Sequence, residues 1–290
     1  MTLKAVKPGE VKPSKVKFLL SGEAGSGKTW LALDFPSPYL IDCESGAVRK
    51  QYQDKLGKVG GAYFGKDQGS ESFTEIIEEV KSLTTTKHSY KTLIIDSFSH
   101  LYLLEAAEAE LKVGSDFGKD RKEANKPSRQ LIKWLNKCDM NIILIAHSKA
   151  KWARKGNDIY QDGNTFEGYA KLEYDLDLWV ELSKDRKTCI IKKSRVESLP
   201  QGNSLPVSYS HFAELYGQDV LEADSNPAEL ATDEQIATIE ALVEALNIDV
   251  EQVLKWFKKV DVDDWEEMTS TQITGLTEVL NKKVAALAKK

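Results

Sequence analysis

Eight consecutive residues, Gly22-Glu23-Ala24-Gly25-Ser26-Gly27-Lys28-Thr29, carry the chemistry written most directly into this chain. Their spacing fits G-x-x-x-x-G-K-[ST]. The glycines let the backbone fold tightly and turn its amides inward around phosphates. Lys28 brings a positive charge to the β- and γ-phosphates, and the Thr29 hydroxyl offers a ligand to Mg²⁺. A helix starting there adds the positive end of its dipole. Gly22 through Trp30 are therefore expected to bind a nucleoside triphosphate together with Mg²⁺.

Such a cradle needs a second acid to hold the hydrated cation. "TLIID" ends in Asp96 at the carboxyl end of an apolar run, where ligands collect in open α/β sheets. An ordinary helix N-cap is the plainer role for this residue. Hydrolysis also needs a group that positions and deprotonates water. "YLIDCESG" supplies Asp42 and Glu44, which share one side if the strand continues. Glu44 is the candidate base, and a pair of solvated carboxylates is the alternative.

The elements that must position these groups follow from periodicity. "KVKFLLS" (15–21) reads as a buried strand, with a helix from about Gly27. "PYLIDC" (38–43), "KTLIID" (91–96) and "NIILIAH" (141–147) read as further strands. Helical patterns run over 72–83, 99–112 and 128–138. This alternation predicts a parallel sheet covered by helices on both faces. After His147 the stretch 148–171 is polar and without period, so a long loop is expected. "DLDLWVELS" and "KTCIIKK" flank "KDR" as a β-hairpin. The chain is expected to divide into a basic arm (1–14), a core (15–218), a linker (219–232) and a small helical domain (233–290). Two capping boxes, Thr232 with Gln235 and Thr269 with Gln272, mark helix starts in that last domain.

Together these residues resemble the RecA-like branch of P-loop ATPases. The resemblance implies an α/β RecA-like P-loop NTPase core, with a mostly parallel sheet flanked by helices, plus the small C-terminal helical domain. It implies ATP as the nucleotide, Glu44 as general base, Asp96 on Mg²⁺ and His147 as the sensor of the γ-phosphate. The sensor is often Gln in this branch, so His147 is a departure. "IIKKSR" resembles the K-x-R signature of ring and filament members, whose cations reach a neighbour's ATP; here they would be Lys193 and Arg195. The P-loop, "IDCESG", "LIIDSFSHL", "IILIAHSK" and "KKSR" are similar to the AAA-type bacteriophage nucleotide-binding proteins of the Sak type, over about residues 15–215. That family assists single-strand annealing beside a single-stranded-DNA-binding protein. A homo-oligomer, ring or filament, and a protein partner for the helical tail are implied with it.

Charge alone marks two segments for single-stranded DNA. One offers Lys119, Arg121 and Lys122, together with Lys126 and Arg129. The other offers Lys149, Lys151, Arg154 and Lys155, with Trp152 and Tyr160 for base stacking. Solvated basic loops are the bland alternative. Residues 226–290 hold 13 acidic and 7 basic residues against a net charge of −5 for all 290, so basic surface must lie in the preceding part. Three well-separated cysteines, each beside an apolar run, suit buried thiols in a reducing cytoplasm. No stretch has the apolar length of a signal core or a membrane span, and no membrane role is expected. Three functions compete: a DNA-dependent ATPase, a nucleotide switch that loads a partner, and a small-molecule kinase. A kinase needs phosphate-clamping arginines in a lid, and 148–171 carries Arg154 alone.

Overall fold

The computed structural model describes Ala5, Lys7 and residues 13–115, 118–156, 158–260 and 262–287. The basic arm expected at 1–14 falls largely outside these residues. Two compact units divide the chain: Met1–Leu83 with Lys87–Asn226, and Thr84–Thr86 with Pro227–Lys290.

The first unit is built on a sheet of nine strands among the described residues. In chain order, strand β1 (Lys17–Gly22) leads into helix α1 (Lys28–Ala32). Then follow β2 (Pro38–Asp42), α2 (Lys50–Lys58), β3 (Ala62–Phe64), α3 (Phe73–Thr85), β4 (Thr92–Asp96), α4 (Phe98–Val113) and α5 (Lys119–Lys137). β5 (Asn141–Lys155), β6 (Asp158–Phe166), α6 (Leu172–Asp175), β7 (Leu178–Leu182), β8 (Thr188–Ser194), β9 (Ser204–Pro206), α7 (Tyr209–Tyr216) and α8 (Gln218–Glu222) complete it. The strand order is β3-β2-β4-β5-β1-β7-β8-β9, with β6 paired to β5 alone. From β3 to β7 every pair is parallel, and β8 and β9 run antiparallel at the edge.

The apolar runs become strands because the sheet is buried on both faces. Leu19, Leu20, Leu93, Ile94, Ile95 and Ile142 through Ala146 have no exposed surface. Phe18, Leu20, Ile94, Ile143, Ile145 and Val180 form one continuous core with Leu31 of α1, Leu56 of α2 and Ala213 of α7. Alternation turns Leu19, Leu93, Ile95, Ile142 and Leu144 to the opposite face. There α4 packs on β5 and on α5.

Three expectations need correction. The stretch 148–171 is not a structureless loop: β5 runs straight through His147 to Lys155, turns at Gly156, and returns as β6. No alternation betrayed it, because most side chains between Lys149 and Asn164 face solvent. The linker expected at 219–232 starts too early, since α8 covers its first residues and Leu221 is fully buried in the core. Residues 119–129 of the basic segment are the leading half of a longer helix, α5, which takes in Pro127.

The second unit consists of α9 (Asp233–Ala245), α10 (Val250–Val260) and α11 (Ser270–Leu287) around its own core of Ile239, Phe257, Val262, Met268, Ile273 and Leu280. Both capping boxes form. The Thr232 and Gln272 pairs close reciprocally, with Thr232 N donating to Gln235 Oε1 at 3.0 Å and Thr269 N to Gln272 Oε1 at 2.8 Å. No helix among the described residues is long and apolar enough to cross a membrane. Cys43, Cys138 and Cys189 are free and buried.

Candidate active site

The cradle sits where β1 ends. Gly25 and Gly27 adopt φ of +77° and +91°, a backbone that other residues enter only under strain. A Cβ on Gly22 would meet Ser26 Oγ at 2.6 Å and the Leu182 carbonyl at 3.1 Å, so glycine is required there for space. Lys28 is the first residue of α1 and is buried. Its ammonium donates to the carbonyls of Gly22 and Glu23, both at 2.9 Å. Burial lowers its pKa, against the pull of Asp96 and Glu44.

Parallel pairing brings the other groups to the same end of the sheet. Gly22 is level with His147 on β5, and Asp42 is level with Asp96 across β2 and β4. The Thr29 hydroxyl donates to Asp96 Oδ2 at 2.5 Å. Burial pushes the Asp96 carboxyl up to about 6; the Thr29 hydroxyl opposes the shift, while Glu44 and Asp42 add to it. A hydroxyl and one carboxylate fit Mg²⁺, which takes few protein ligands when phosphate oxygens and water supply the rest. Among the described residues no cluster of three or more His, Cys, Asp or Glu forms a protein-only metal cage. Ser26 Oγ is buried without a hydrogen-bond partner among these residues, as expected of a loop shaped for something it does not itself contain.

Glu44 lies just beyond β2. Its Oε1 is 3.0 Å from His147 Nε2 and also accepts from the Ser97 hydroxyl. The His147 hydrogen bond leads in holding its carboxyl down at about 2, and the same bond raises His147. Asp42, by contrast, is not a free acid. It is buried and accepts from the amides of Ala47 (2.8 Å), Gly46 (3.1 Å) and Glu44 (3.3 Å) and from the Tyr63 hydroxyl (3.1 Å). These bonds fix the turn that presents Glu44.

Lys28, Thr29, Asp96, Glu44 and His147 therefore meet in one place. Trp30 contributes no side chain there: its ring lies under Lys55 of α2, at 4.1 Å. Lys193 and Arg195 do not join this site. β8 runs antiparallel to β7, so Lys193 pairs with Trp179 near the start of β7, whereas the cradle stands at the strand ends. Lys193 Nζ donates to the Leu176 carbonyl, and Arg195 lies 3.6 Å from Asp177. The two basic segments approach each other: Arg121 of α5 and Lys149 of β5 line one cavity of about 600 Å³, with Tyr102, Tyr169 and Lys171. Lys119, Lys122 and Lys155 are exposed near it or on the hairpin. Lys151 pairs with Asp162 across the hairpin at 3.4 Å.

Sequence reading missed Arg186, in the β7–β8 turn, whose Nε donates to the Gly25 carbonyl at 2.7 Å. The adjacent Lys184 reaches Glu23 at 2.9 Å. The only hint was the basic "KDR" turn itself. A family model described as an AAA domain matches residues 14–206, two-thirds of the chain and the whole of this site. None of the curated proteins compared with the chain matches it.

The raised carboxyl of Asp96 has a testable consequence. Its ordinary value is 3.8 and its folded value about 6. Between these the folded state binds more protons than the unfolded chain, so its contribution to stability is present at low pH and lost as pH rises through 6. Asp96→Asn removes that loss and keeps an acceptor for Thr29. Without nucleotide or magnesium, Asp96→Asn should melt a few degrees above wild type at pH 8. The gap should shrink as the pH is lowered toward 4. A gap that is constant with pH would show that the carboxyl is not held in this state.

Proposed function

The chain belongs to the AAA-domain family and carries a nucleotide-binding domain of the P-loop ATPase type; from the site's geometry we propose that it is a Mg²⁺-dependent ATPase acting on single-stranded DNA, in recombination or strand annealing of the phage type. The observation that carries this reading is the continuity of β5. His147, bonded to Glu44, is followed without a break by the hairpin arm that β5 and β6 form. A change at the γ-phosphate that displaces His147 is passed along one strand to the arm.

The chain's own residues divide the work. Lys28 and the cradle amides hold the phosphates. Thr29 and Asp96 would hold Mg²⁺, whose charge offsets that developing on the transferred phosphoryl group. Glu44, held ionised, orients the attacking water and takes its proton as the bond to phosphorus forms. Arm and helix supply the nucleic-acid surface. Trp152 and Ile159 are 64% and 69% exposed, an unusual display of large apolar side chains. Arg154 stands opposite Ile159, and Trp152 opposite Gln161. Exposed ion pairs such as Lys151–Asp162 are worth little and yield readily to a phosphate. Lys193 and Arg195 act on a neighbour's phosphates across a subunit boundary in an oligomer. A single-stranded-DNA-binding protein is the partner for the helical unit.

One observation favours a second reading, a switch that loads a partner with little hydrolysis. Glu44 is engaged by both His147 and Ser97, and a carboxyl near 2 is a weak base. Turnover with and without oligo-dT separates the two readings: stimulation by DNA supports the ATPase, and nucleotide binding without turnover supports the switch.

Glu44→Gln should bind ATP but hydrolyse it at least about a hundredfold slower, the scale of a lost general base. Wild-type turnover in this variant would return Glu44 to a structural role. Replacing Lys151, Arg154 and Lys155 together by Ala should weaken binding to oligo-dT. It should also flatten the slope of log affinity against log salt by about 2, near 0.7 for each lost phosphate contact. Fluorescence anisotropy across a salt series measures both, and an unchanged slope would move the DNA surface elsewhere.

A further inference from the structure

The turn between β7 and β8 leans on the phosphate cradle. Ser183 Oγ donates to the Thr188 carbonyl at 2.6 Å and accepts from its amide at 3.3 Å, closing the turn. Arg186 within it has φ of +62°. This left-handed backbone suits glycine or asparagine and admits a long side chain only at steric cost. Such an outlier points to a use for the side chain.

That side chain lies along the cradle. Its Nε is anchored on the Gly25 carbonyl at 2.7 Å. Its methylene carbons stand 3.9 Å from where a Cβ on Gly27 would be, and Nη2 stands 3.8 Å from the same position on Gly25. One side chain thus covers both left-handed glycines of the loop. The Lys184–Glu23 pair at 2.9 Å ties the turn down a second time. Among the described residues neither Nη1 nor Nη2 has a hydrogen-bond partner. The guanidinium is therefore oriented by one nitrogen and leaves four N–H groups to donate elsewhere.

Strand order decides which part of a nucleotide it meets. His147, Asp96 and Glu44 belong to β5, β4 and the end of β2, all on one side of β1; β7 and β8 lie on the other. A γ-phosphate must face Glu44 and Asp96 for hydrolysis. The α-phosphate and ribose then extend toward the β7–β8 turn. We propose that Arg186 is a nucleotide-binding residue supplied by the same chain, donating to the α-phosphate and ribose end of the bound nucleotide. This rests on the nucleotide-binding reading above and adds to it a contact shared by ATP and ADP. A planar fork anchored at one corner suits an anionic phosphate oxygen better than a flexible ammonium would.

Calorimetric titration with Mg-ADP and with a slowly hydrolysed Mg-ATP analogue tests the proposal. Arg186→Gly suits the left-handed turn, so the fold should survive and the free protein should melt no lower than wild type. Its affinity for both nucleotides should fall by a similar factor, about tenfold to a hundredfold, as for a lost charge-assisted hydrogen bond. Arg186→Lys should fall between the two proteins. A loss confined to the ATP analogue would place the guanidinium on the γ-phosphate and overturn the proposal, as would unchanged affinity for both nucleotides. If wild-type protein bound neither nucleotide, the underlying reading would fall and the proposal with it.

Discussion

A buried ammonium with no carboxylate in contact is the constraint around which this structure is arranged. Lys28 leaves water at the end of a strand whose side chains are almost wholly buried. It is compensated by two backbone carbonyls of its own loop. Burying a charge is costly unless it is well satisfied, and here the satisfaction comes from groups that a phosphate can replace. The loop can bring its carbonyls that close only because glycine occupies position 22, for space, and positions 25 and 27, for their left-handed dihedrals. Asp96 and Glu44 sit near enough to favour the charge without neutralising it. The nucleotide's own negative charge is the partner that the arrangement lacks.

From this end of the sheet a short chain of hydrogen bonds leads outward. The His147 amide donates to Ser99 Oγ at 2.9 Å, and that hydroxyl donates to the Glu167 carbonyl at 2.6 Å. The Glu167 amide returns to the His147 carbonyl at 2.8 Å. Its carboxylate holds Lys149 at 3.0 Å. The start of α4, the middle of β5 and the end of β6 are thereby joined at the base of the hairpin arm. Ser97, two residues before Ser99, also donates to Glu44. Glu44, His147 and the root of the arm are thus linked by direct contacts, with no distant relay to invoke.

Much of this was legible in the residues. The buried runs ending in Gly22, Asp96 and His147 are near-continuous apolar segments, which read as parallel strands because both faces are covered. The cradle is a local motif, so its glycines announce it. Other parts depend on information that sequence does not display locally. The arm over 148–166 lacks apolar alternation because it is solvated on both sides, although Gly156-Asn157 is a recognised hairpin signal between strands. Asp42 and Glu44 look alike in "IDCESG", yet one is consumed by backbone amides and the other faces the site. Arg186 reaches Gly25 across 161 residues of chain, a contact that only the placement of β7 beside β1 creates. Lys193 and Arg195 match a motif, but strand direction carries them to the far end of the sheet.

The two acids of the site are pushed apart in opposite directions, a separation that suits the two roles proposed for them. Asp96 is raised to about 6 by burial and by its acidic neighbours, so it is an expensive anion until a cation arrives. Glu44 is held near 2, chiefly by His147, so it is an anion at neutral pH. Opposite environments for two nearby titratable groups are how a site separates roles. The His147 bond that keeps Glu44 ionised also occupies it. The pair adds most to stability above the ordinary carboxylate value and below the ordinary histidine value, and its contribution is lost as pH rises through the raised value of His147. Under the proposed function a γ-phosphate would compete for the same imidazole. In the mechanism proposed above, drawing His147 away would release Glu44 to bind water and raise its basicity in one movement, so sensing the nucleotide and arming the base would be a single step.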